Sequence, residues 1–118
     1  MKDKDENVIV DKSKSFALRI IKLYQHLCNN KEFVLSKQLL RSGTSIGANV
    51  KEAIRAQSKP DFYAKLNISL KEASETEYWL ELLYESGYID EQGFLSIYAD
   101  CQEILKILVA ITKHQKNS

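Results

Sequence analysis

KEFVLSKQLLRSGTSIGANVKEAIRAQ, residues 31–57, decides the fold. Leu35, Leu39, Ser42, Ile46, Asn49 and Ala53 recur at helical spacing on one face, and Leu40, Gly43, Gly47, Val50 and Ile54 lie on the adjoining one. The periodicity runs through both glycines, although each costs about 1 kcal/mol relative to alanine inside a helix. One continuous helix is therefore expected, with a break at Ser42-Gly43-Thr44 as the alternative. Two glycines four residues apart remove side chains from one face and let another backbone come close.

The flanking segments follow the same period. Phe16, Ile20, Leu23 and Leu27 form a stripe beside Ala17, Ile21, Tyr24 and Cys28, the broad apolar face of a first helix ending near Asn29-Asn30. Ser58-Lys59-Pro60-Asp61 reads as a turn in which Ser58 caps a third helix from about Pro60 to Ser86. Its core stripe is Phe62, Leu66, Leu70, Ala73, Leu80 and Leu83, and Gly87 stops it. Asp90 caps a fourth helix with Phe94, Tyr98, Cys101, Leu105, Leu108 and Thr112 inward, widened by Ile97, Ile104, Ile107 and Ile111. Four helices with short connections must run up and down. The expectation is all-α: an antiparallel up-and-down four-helix bundle filling residues 1–118 as one domain, with 1–10 and 113–118 fraying.

Composition agrees. With one proline and four glycines in 118 residues, the chain lacks the turns of a sandwich or barrel. Seventeen basic and sixteen acidic residues give a net charge of +1, which exerts no global pull on nucleic acid or anionic lipid. Met1–Asn7 is charged rather than apolar, so no signal peptide is expected; no apolar run could span a membrane, and the expected location is the cytoplasm. Cys28 and Cys101 sit in apolar patterns without a CxxC pair and read as free, reduced thiols.

No catalytic set emerges. His26 and His114 have neither metal-ligand spacing nor an acid partner, and Gly43–Gly47 lacks the Gly-Lys-Ser/Thr of a phosphate loop. No cofactor or metal is expected. Three constellations stand out instead. Ser45, Asn49 and Glu52 share a face of the second helix, and Lys71 and Glu75 stand on the third; together they are expected to form an interhelical polar network, with a ligand pocket as the rival reading. An enzyme built on Asn49, Glu52 and Lys71 would need a nucleophile–base pair that the chain does not supply. Lys37, Arg41, Lys51, Arg55 and Lys59 line one side of the second helix, a stripe suited to phosphates or simply a solvated face. Tyr78 and Trp79, with Ile68 and Leu82, turn away from the core stripe of the third helix; with Gly43 and Gly47 they make a candidate oligomer interface.

Ser42-Gly43-Thr44-Ser45-Ile46-Gly47-Ala48-Asn49-Val50 with Glu52-Ala53, followed by Ser58, Asp61-Phe62, Lys65-Leu66, Ile68, Lys71-Glu72-Ala73, Glu75-Thr76 and Tyr78-Trp79-Leu80, resembles the four helix bundle protein family. Its founding members are encoded in intervening sequences of bacterial 23S ribosomal RNA genes. The likeness covers about Phe16 to Ile111. It implies an antiparallel four-helix bundle, a homopentameric ring with a central channel, and no settled biochemical activity. A related branch, the accessory protein of diversity-generating retroelements, implies a second role: binding a reverse transcriptase and nucleic acid through a basic surface. The near-neutral charge departs from that strongly basic branch. A non-enzymatic ring-forming scaffold or adaptor is therefore the leading expectation, and a nucleic-acid-binding accessory protein the second.

Overall fold

The computed structural model describes residues 4–117. Four helices follow one another: α1 (Lys4–Asn29), α2 (Leu35–Ile54), α3 (Lys59–Glu85) and α4 (Glu91–Thr112), with a short 3-10 turn (Lys113–Asn117) after them. Each packs antiparallel on its predecessor, and α4 returns to α1, closing a rod of 46 × 21 × 20 Å. Ion pairs Lys12–Glu103 (3.1 Å) and Arg19–Asp100 (2.7 Å) pin that closing seam.

Local chemistry sets the boundaries. The Asp61 N–H donates to Ser58 Oγ (3.2 Å), and the Gly93 N–H to the Asp90 carboxylate (2.7 Å), so both expected caps form. At the end of α3, Gly87 takes φ +89°, where its missing side chain removes the steric penalty. The Tyr88 N–H then reaches back to the Leu83 carbonyl (2.9 Å) and the Gly87 N–H to that of Tyr84 (3.0 Å). The same closure ends α1, with Lys31 in the left-handed region instead of a glycine (φ 64°). α2 is shorter than the expected 31–57, because its start is fixed by the buried Glu32. That carboxylate accepts from the N–H groups of Leu35 (3.2 Å) and Ser36 (2.6 Å), and Ser36 Oγ donates to the Glu32 carbonyl (2.7 Å).

No break occurs at Ser42–Thr44; α2 is continuous. The expected frayed segment 1–10 is helical from Lys4 onward, and Ile9, only 1% exposed, extends the stripe to Ile9, Ser13, Phe16, Ile20 and Leu27. Met1–Asp3 and Ser118 lie outside the described residues, and 113–117 form the terminal 3-10 turn. The α4 stripe is rotated from the expected one. Phe94, Ile97, Cys101, Ile104, Leu108 and Ile111 are buried, while Tyr98, Leu105 and Thr112 sit at its edge.

Buried hydroxyls join α2 to α3. Thr76 Oγ1 donates to Ser42 Oγ (2.8 Å), and Ser69 Oγ to the Ile46 carbonyl (2.8 Å); all three side chains are fully buried. Thr76→Val keeps the shape and strips Ser42 of a partner. It is expected to lower the unfolding free energy by about 1–2 kcal/mol in urea titrations.

Candidate functional site

α3 presents apolar residues on both sides. Leu66, Ala73, Leu80 and Leu83 face the core. On the opposite side Ala64, Ile68, Lys71, Glu75, Tyr78 and Leu82 follow steps of four and three, the spacing of a coiled-coil seam. Ile68 and Tyr78 are 42% and 53% exposed, and Leu82 is half-buried. The ridge spans most of the helix; of its members Glu75 is held by Arg41 of α2, while Ile68 and Tyr78 stay exposed.

The other candidates of this surface are placed differently. Trp79 is half-buried against the core, and its indole N–H donates to Glu75 (3.0 Å), so it is a seam residue. Gly43 and Gly47 face α1 of the same chain. A Cβ at Gly43 would stand 2.8 Å from Ile20 Cγ1 and Cγ2, and one at Gly47 3.4 Å from the Ser13 carbonyl oxygen. Their close approach thus serves the α1–α2 packing.

The polar contact between α2 and α3 exists, with other members than expected. Ser45 Oγ donates to the Arg41 carbonyl (2.6 Å) and Asn49 Nδ2 to that of Ser45 (2.9 Å), so both side chains are spent on their own helix. Lys71 is exposed. Glu52 pairs with Lys65 (3.1 Å), and Glu75 takes part through Arg41, whose guanidinium also donates to both carboxylate oxygens of Glu72 (3.1 and 3.2 Å). The bridge therefore runs through Arg41, Glu72 and Glu75 above the buried Ser42–Thr76 pair.

That bridge removes Arg41 from the basic stripe. Lys37, Lys51, Arg55 and Lys59 remain exposed, and Lys51 and Arg55 join Lys14 along an open trough of ≈ 510 Å³ between α1 and α2. Val10, Ala17, Gly47, Val50 and Ile54 line the trough, so its wall is mainly apolar. Sequence reading missed Ala64, Leu18 and Ile21 as surface features; the seven-residue spacing from Ala64 onward was the available signal.

Off this surface, burial shifts a thiol and a carboxyl beside the α3–α4 seam. Burial pushes the Cys101 thiol up to about 12, helped by the nearby Glu77 carboxylate. It is expected to resist thiol reagents at neutral pH in the folded chain and to react fully in denaturant, as followed by mass spectrometry. Burial also raises the Glu77 carboxyl, and the Glu81 charge adds to this; Glu77 accepts from Gln102 and Glu81 from Tyr98 (2.6 Å) across the α3–α4 seam. Among the described residues no group of three or more His, Cys, Asp or Glu side chains could hold a metal ion. Nor, among these residues, is any helix long and apolar enough to cross a membrane.

Comparison with known proteins fits this geometry. A crystal structure from Bacteroides thetaiotaomicron VPI-5482, of a protein with unknown function from the S23 ribosomal protein family, superposes with a TM-score of 0.91 at 59% identity, covering 92% of this chain and 98% of that one. No curated protein matches. The model of the 23S rRNA-intervening sequence protein family matches residues 5–110. The chain belongs to the 23S rRNA-intervening sequence protein family.

Proposed function

We propose that this chain is a non-enzymatic scaffold of the cytoplasm that assembles with copies of itself into a closed ring, using the outward face of α3 as one contact surface. The seam-spaced ridge Ala64, Ile68, Lys71, Glu75, Tyr78 and Leu82 carries this reading. A helix that buries one face against its own bundle needs only polar residues on the other. A second apolar stripe, broken by Lys71 and Glu75, is what a partially polar helix–helix contact requires. Five copies is the size that the family resemblance implies, and an odd ring needs a head-to-tail contact between two different patches.

The test is the double substitution Ile68→Glu/Tyr78→Glu. Both side chains are exposed, so helicity by circular dichroism is expected to stay unchanged. The mass by light scattering is expected to fall from that of the assembly to that of the 13.6 kDa chain. A variant that keeps the assembled mass would exclude this face from the contact.

The second reading, an accessory protein working with RNA, DNA or a reverse transcriptase, is favoured by the exposed Lys37, Lys51, Arg55 and Lys59, none of which has an ion pair within the described chain. It requires RNA or DNA binding that weakens steeply with added salt. Absence of binding at low salt removes it.

A further inference from the structure

The outer side of α4 is an apolar face without a cover. Leu95, Tyr98, Gln102, Leu105 and Val109 follow steps of three and four on the side turned toward α3. Leu95 is 56% exposed and Val109 50%. The stacked rings of Tyr84 and Phe94 (centroids 4.3 Å apart), continued by Tyr98, floor the upper part of the groove between α3 and α4. An open hollow of ≈ 370 Å³ beside Leu105 and Val109 extends it downward.

The charge of the opposite wall says what fits there. The near-neutral chain has two oppositely charged halves. Residues 1–60 hold twelve basic and six acidic side chains, whereas residues 61–112 hold three basic and ten acidic ones. In the second half Glu72 and Glu75 pair with Arg41, Asp100 with Arg19 and Glu103 with Lys12. Glu77, Glu81, Glu85 and Glu91 have no ion pair among the described residues. The first three stand at steps of four along α3, about 6 Å apart, and like charges at that spacing weaken a helix. Glu77 accepts from Gln102 and Glu81 from the Tyr98 hydroxyl (2.6 Å), which aims both carboxylates at the groove. Both donors are neutral, so the charges stay uncompensated.

We propose that the α3–α4 groove is the docking surface for a basic amphipathic helix of another protein, with its apolar residues on Leu95, Leu105 and Val109 and one cation per turn against Glu77, Glu81 and Glu85. The spacing selects a helix, because carboxylates one turn apart match lysines or arginines at steps of four. The charge selects a basic one. Nucleic acid and anionic lipid are repelled by the same carboxylates, and a neutral helix would cover them without a counter-charge. The aromatic floor suits the same cations. The groove shares no residue with the outward ridge of α3, so this docking holds whether or not the chain forms a ring.

The test uses the full chain and a fluorescein-labelled synthetic helix of leucine, alanine and lysine, with leucines at steps of three and four and lysines at steps of four. Affinity is read by fluorescence anisotropy at low salt. Binding is expected, and it is expected to weaken about tenfold in Glu77→Gln/Glu81→Gln, the loss of two exposed ion pairs. Glutamine keeps an acceptor oxygen for Gln102 and Tyr98, so helicity should not change. Asp11→Asn/Glu52→Gln removes the same charge from the other half and is expected to bind as wild type does. No binding to wild type, or an equal loss in the two double variants, overturns the proposal. So does equal affinity for a peptide with glutamate in place of lysine. Light scattering without peptide is expected to give Glu77→Gln/Glu81→Gln the mass of wild type. A smaller mass would assign the groove to a second copy and overturn the proposal.

Discussion

Gly43→Leu is expected to lower the unfolding free energy by about 3 kcal/mol, the upper part of the range for overpacking a filled core. The Cβ alone would stand 2.8 Å from two branch carbons of Ile20, which is itself fully buried and cannot swing into solvent. Separating α1 from α2 is the remaining response, and it would open the core around Phe16 and Leu39. The better helix propensity of leucine returns only about 1 kcal/mol of the loss. Gly47→Ala is the informative control. Its Cβ would meet Ser13 at 3.4 Å, a contact that a small shift relieves. Alanine there is expected to be neutral or to stabilise by about 0.5–1 kcal/mol. Urea unfolding of both variants, compared by midpoint at constant slope, separates close approach from mere helix weakness. Equal destabilisation at the two positions would contradict this division of roles.

Glu32→Ala is expected to lower the unfolding free energy by about 2 kcal/mol, combining the loss of a helix cap with that of a negative charge beside the α2 N-terminus. The N–H groups of Leu35 and Ser36 would both lose their acceptor, and Ser36 is fully buried. Glu32→Gln keeps one acceptor oxygen and should fall between wild type and alanine. Hydrogen exchange at the Leu35 and Ser36 amides is the site-specific readout. Unchanged protection in Glu32→Ala would mean that the cap contributes nothing.

How legible the molecule was depended on how local each cause is. Ser58, Gly87 and Asp90 act within one turn of the residues they cap, and the sequence shows them directly. Glu32 caps from before the helix start, outside the usual capping position, so the sequence pattern places the start of α2 too early. Gly43 and Gly47 announced that a backbone comes close, but spacing cannot say whose. Ile20 and Ser13 answer that question for α1. Ser45 and Asn49 looked available to a neighbouring helix because they share a face with Glu52. Inside a helix their side chains can instead bond the carbonyl one turn back, and they do. Trp79 points between the core stripe and the outer ridge, an intermediate angle that a two-sided pattern does not resolve. Ile68, Tyr78 and Leu82 were legible as outward, because a helix leaves little doubt about residues half a turn from its core stripe.

The proposed self-assembly through the outward ridge of α3 is tested most directly by the mass of the unmodified chain. Sedimentation velocity at several protein concentrations should give one sharp species at a multiple of 13.6 kDa, with five copies the expected multiple. A species that stays at 13.6 kDa at every concentration would contradict self-assembly and the ring.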